Sequence, residues 1–74
     1  MISGNYYRAY WRMQNNDKVI AIVQVKYMID NNTANTTIIK GNFEKFSAHI
    51  HEKDVIEKFG NLKEFQENHP EYWV

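Results

Sequence analysis

The chain contains no cysteine, which excludes a disulfide staple and a thiolate-based zinc site. It has one proline, Pro70, and three scattered glycines, Gly4, Gly41 and Gly60, so it offers no glycine-rich loop to cradle a phosphate. Its longest apolar run, residues 19–23, is five residues, against the roughly 20 that a membrane-spanning helix requires. The opening residues Met1-Ile2-Ser3-Gly4-Asn5 lack the basic and apolar regions of a secretory signal. Absence of cysteine also suits a reducing compartment, and a cytoplasmic location is expected. Nor is there an excess of charge of either sign: nine basic residues balance nine acidic ones. Bulk electrostatic attraction to nucleic acid or to an anionic membrane is therefore not expected.

What the chain does have is aromatic side chains, with four Phe, five Tyr and two Trp in 74 residues. A chain of this length makes one domain, residues 1–74, and buries only roughly 60% of the surface its unfolded form exposes. Large rings, or association with another chain, must then supply what a thin core cannot. Charge is also unevenly placed. Residues 1–40 carry five basic side chains against two acidic ones, net +3, and residues 41–74 carry four against seven, net −3. The two halves are expected to attract each other, within one chain or between antiparallel copies.

The most ordered pattern runs from Tyr6 to Ile29. Tyr7, Ala9, Trp11 and Met13 alternate with Tyr6, Arg8, Tyr10, Arg12 and Gln14. Farther on, Val19, Ala21, Val23, Val25, Tyr27 and Ile29 alternate with Lys18, Ile20, Ile22, Gln24, Lys26 and Met28. A period of two marks half-buried strands. A two-residue turn at Asn16-Asp17 would oppose apolar and polar positions. A three-residue loop, Asn15-Asn16-Asp17, keeps the faces apart and pairs Met13 with Val19, Trp11 with Ala21, Ala9 with Val23 and Tyr7 with Val25. The polar connector Asp30 to Asn35 leads to a third strand over Thr36–Lys40, rich in β-branched residues. Gly41-Asn42 signals a turn. Phe43 to His51 fits either a helix or a strand, and the clean alternation of Phe46, Ala48 and Ile50 favours a fourth strand.

From Asp54 the period changes. Asp54 and Glu57 have capping-box spacing, and Val55, Ile56, Phe59, Leu62 and Phe65 fall on one side of a 3.6-residue period. Asn61 and Glu64 form a second box after Gly60, so the segment is one interrupted helix or two short ones, ended by Pro70. The fold class expected is α+β: an antiparallel β-meander of three or four strands with a C-terminal helical segment packed on its apolar face.

The sharpest candidate site is the face opposite the apolar row. Tyr6, Arg8, Tyr10 and Arg12 alternate along the first strand, with Ile20, Ile22 and Lys26 expected beside them. Tyr and Arg are enriched at interface hot spots, and two isoleucines among them make a partly apolar patch better covered than wet. Solvated cross-strand pairs, with Arg stems lying over Tyr rings, are the ordinary alternative. Stacking of single-stranded bases on the same rings is the competing function. Tyr72 and Trp73 are a secondary contact candidate, set against packing back on the core.

His49-x-His51 would place two imidazoles on one strand face, the beginning of a metal site, but no third ligand has a fixed position. Ser47 near His49 is no triad, since i and i+2 neighbours only point along the strand, and the acidic residues read as caps and a solvated helix face. No catalytic residue, metal or cofactor is expected. The expected function is a non-catalytic module, an accessory or inhibitory regulator that docks on a larger protein, with self-association as a homodimer also expected. By association alone, this profile is common among small accessory proteins of mobile genetic elements. Nucleic acid is the less favoured partner, and no membrane partner is expected.

Overall fold

Alternation along the chain builds five strands, one more than the upper expectation. In the computed structural model, which describes residues 1–12, 15–41 and 43–73 (Tyr72 and Trp73 by backbone only), these are β1 (Tyr6–Arg12), β2 (Lys18–Met28), β3 (Thr33–Lys40), β4 (Ser47–His51) and β5 (Val55–Phe59). A 3-10 turn at Glu52–Asp54 joins β4 to β5, and a short helix, α1 (Leu62–Asn68), is followed by a second 3-10 turn at Pro70–Trp73. All neighbouring strands are antiparallel, in the order β4-β3-β2-β1-β5. The α+β class with an antiparallel sheet is as expected. Among the described residues no helix is long and apolar enough to cross a membrane.

The first hairpin keeps the expected faces but not the expected partners. Tyr7 opposes Val23, Ala9 opposes Ala21, Trp11 opposes Val19 and Arg12 opposes Lys18. The pairing is two residues out of the expected register. Val19, expected opposite Met13, thus has Trp11 as its partner, and Met13 itself lies outside the described residues. The turn is built locally: Asn15 Oδ1 accepts from the Asp17 backbone N–H at 3.2 Å, and Asn16 takes the left-handed conformation at φ 69°, which Asn tolerates. Because the slip is two residues, side-chain direction is unchanged.

Three bulges then curl the sheet. Each inserts one residue opposite none: Lys26 in β2, Ile39 in β3 and Ile56 in β5. A bulge increases the local right-handed twist and reverses the facing of everything beyond it. Beyond Lys26, Met28 turns to the core beside Ala34 while Tyr27 is exposed, the reverse of the plain alternation. Ile29, expected in the same apolar row, is also exposed. With this curl, β1 and β4 approach across the concave side, where Trp11 meets Phe43 edge-on at 5.3 Å. The concave core holds Tyr7, Ala9, Ala21, Val23, Val25, Ala34, Ile38, Ala48 and Ile50. Its two buried hydroxyls have partners: Tyr7 Oη accepts from the Ile2 N–H at 2.7 Å, and Thr36 Oγ1 donates to the Ala48 carbonyl at 2.8 Å.

The helix lies elsewhere than expected. The sheet's own curl closes the concave face, and α1 packs on the opposite one. Phe65 stacks on Phe59 with ring centroids 4.8 Å apart, and both rings, with Ile22, are buried against Tyr6 and Ile39. The helix also starts late. Val55 to Phe59 is a strand: Val55 packs against the concave core and Phe59 lies with Phe65 on the opposite face, so the two do not share one side. Asp54 caps nothing and is instead held by Arg12. The second box is real: Asn61 Oδ1 accepts from the Glu64 N–H at 2.8 Å, and Glu64 Oε2 accepts from the Gly60 N–H at 3.1 Å. Of residues 43–51, only Ser47–His51 is strand, and Phe43–Lys45 is a turn.

Candidate protein-binding face

β1 and β2 carry the Tyr/Arg/Ile row on the convex side of the sheet, as their alternation requires. The pairing opposes Tyr10 to Ile20, Arg8 to Ile22 and Tyr6 to Gln24. α1 then divides the row. Ile22, only 1% exposed, is buried beneath the helix, and half-buried Tyr6 packs against the same cluster. Tyr10 and Ile20 remain outside it, 37% and 46% exposed, and Lys18 Nζ sits 5.0 Å over the Tyr10 ring. Lys26, the inserted residue of the β2 bulge, is exposed farther along the strand.

Both arginines are taken up internally. Arg12 reaches Asp54 in a bidentate fork, Nε to Oδ2 at 3.0 Å and Nη2 to Oδ1 at 3.1 Å. The hydrogen bonds from Arg12 hold the Asp54 carboxyl below its usual range despite its burial, and the carboxylate raises Arg12 in turn. Arg8 pairs with Glu57 on β5, while its Nε is buried without a hydrogen-bond partner. Glu57 also accepts from His69 Nε2 at 2.9 Å, and His69 Nδ1 meets Glu71 at 2.9 Å. Hydrogen bonds to Glu57 and then Glu71 raise the His69 pKa, and the histidine lowers both carboxyls. The result is a chain of charges running from β1 through β5 to the C-terminal turn. No sequence spacing announces the two arginine pairs, since Arg8 and Glu57, and Arg12 and Asp54, lie far apart along the chain. The +3 and −3 halves of the sequence were the one available hint.

The remaining candidates sit apart. His49 and His51 are exposed on β4, and His51 Nδ1 lies 3.2 Å from Thr33 Oγ1. Among the described residues, no three His, Asp or Glu side chains converge so as to hold a metal ion. The side chains of Tyr72 and Trp73, named above as a secondary contact, lie outside the described residues. Sequence reasoning missed a slot beside β4, lined by Trp11, Phe43 and Phe46 together with Arg12, His49 and His51, with a volume of about 770 Å³. The one signal for it was the aromatic pair Phe43 and Phe46 flanking a turn. Comparison with protein-family models, with curated proteins and with solved structures finds no match.

Proposed function

We propose that the protein is a small non-catalytic binding module, an accessory or inhibitory regulator that docks on an acidic surface of a larger protein through Tyr10, Ile20 and Lys18. The observation that carries this reading is the directly opposed Tyr10–Ile20 pair, left exposed beside a helix that covers Ile22 and packs against Tyr6. An aromatic ring and a branched aliphatic chain at one cross-strand position form a compact apolar anchor. Lys18, over the Tyr10 ring, gives it a basic neighbour. Binding of single-stranded nucleic acid by this face has less support, because Arg8 and Arg12 are already neutralised by Glu57 and Asp54.

The test is a partner captured on the wild-type chain, purified, and titrated against the Tyr10→Ser/Ile20→Glu double variant. Affinity should fall at least tenfold while the unfolding midpoint holds. Undiminished binding by the variant would sink the reading. Retention of single-stranded oligonucleotide at low salt, lost log-linearly as salt rises, would favour the nucleic-acid alternative. Arg8 and Arg12 are unsuitable for charge reversal, since both changes would break internal ion pairs.

A further inference from the structure

We infer that the slot between β4 and the distal end of β1 receives an extended, acidic segment of a partner polypeptide, added to β4 as a further strand. Among the described residues β4 ends the sheet and pairs only with β3. The Ile38 N–H donates to the Phe46 carbonyl at 2.9 Å, and the Glu52 N–H donates to the Asn32 carbonyl at 2.7 Å. In an antiparallel ladder these bonds alternate, so residues 46, 48, 50 and 52 serve β3. Ser47, His49 and His51 therefore direct their N–H and C=O groups to the open side. Natural sheets blunt such an edge with Lys, Pro or a bulge. The outer strand on the other side, β5, has Lys58 and the Ile56 bulge. Ser47–His51 has none of these.

The facing wall is free for a related reason. β5 accompanies β1 only as far as Ala9, which leaves Trp11 and Arg12 bordering the slot. Its floor is aromatic, with Phe43 in contact with Trp11 and, at 5.8 Å, with Phe46. Phe46 is 57% exposed. The volume of about 770 Å³ lies within the roughly 300–1,000 Å³ range of ligand clefts. It suits one extended chain of a few residues. The edge of a second folded copy would bring its own neighbouring strands, each about 4.8 Å away, into a cleft whose two walls turn towards each other.

The chemistry of the lining narrows the occupant further. Among the described residues no carboxylate lines the slot; Arg12 is already forked to Asp54, and the exposed imidazoles of His49 and His51 remain to donate hydrogen bonds to an acidic side chain. An added strand alternates its side chains, so the fitting segment alternates acidic residues with apolar ones, the latter facing the Trp11–Phe43–Phe46 cluster. Backbone pairing supplies attachment and the alternate side chains supply selectivity. Apart from Arg12, which borders both, this surface is separate from the Tyr10–Ile20 patch.

The probes are three blocked synthetic hexapeptides: one alternating Asp with Val or Phe, its Lys counterpart, and the Asp peptide N-methylated at alternate residues. The Asp peptide should bind the full chain at least tenfold more tightly than either control. It should protect the amides of Ser47, His49 and His51 from hydrogen exchange, and Phe46→Ser should weaken it at least fivefold. Tyr10→Ser/Ile20→Glu should leave it unchanged, which separates this site from the docking face. No saturable binding up to millimolar peptide would overturn the inference, as would equal binding of the Lys or the N-methylated peptide. Protection of those amides by self-association alone would assign the edge to a second copy instead.

Discussion

Arg12 shows how one side chain can leave a binding face and become part of the fold. Its guanidinium meets both oxygens of Asp54, a carboxylate that is otherwise buried. A buried charge with no partner is strongly unfavourable, so Arg12→Met should lower the unfolding midpoint at pH 7. The direction of the pH effect follows from the lowered Asp54 pKa. The pair stabilises fully above the ordinary carboxyl value of 3.8, and that stability is lost as pH falls through the lower folded value. Chemical denaturation at pH 7 and at pH 3 should therefore find wild type and variant well separated at pH 7 and closer together in acid. His69 has the opposite sign. Its link to Glu57 and Glu71 contributes fully below the ordinary imidazole value of 6.5 and is lost as pH rises through the raised folded value. Amide exchange in the C-terminal turn should be slower at pH 6 than at pH 8.5 after correction for intrinsic rates. His69→Gln should abolish that difference.

At the scale of elements, α1 is short and derives its order from one face. Its seven residues are too few to be stable alone, and only Phe65 among them is fully buried. Phe65→Ala should cost about 3–5 kcal/mol, as for truncation of a core ring, a large share of the stability of so small a domain. Urea unfolding measures this directly. Asn61→Ala should cost about 1 kcal/mol through loss of the cap. The elements that were legible in the sequence are those without bulges. β1 and the first part of β2 sort their side chains by simple alternation, and a two-residue slip in pairing leaves that sorting intact. Tyr27, Met28 and β5 were not legible, because a single inserted residue at Lys26 or Ile56 changes the facing and leaves no compositional mark. The same limit applies to the candidate face. Ile22 reads as an outward residue until Phe59 and Phe65, far along the chain, are found over it.

For the whole molecule, the arrangement of strands decides which surfaces are left for partners. The concave face is closed by curl, and the convex face is half covered by α1. Among the features left exposed are the Tyr10–Ile20 corner and the open edge of β4. The β1–β5 pairing has a further consequence, in time. Tyr6 pairs with Phe59, so the first strand waits for one of the last parts of the chain before its outer edge is filled. Contacts of such sequence separation make folding slow for the size of the chain, in the range of milliseconds to seconds. Stopped-flow refolding followed by tryptophan fluorescence should show that range. During synthesis, β1 to β4 leave the ribosome with the outer edge of β1 and the site of Ile22 uncovered. The nascent protein is thus most exposed to misassociation before β5 and α1 emerge.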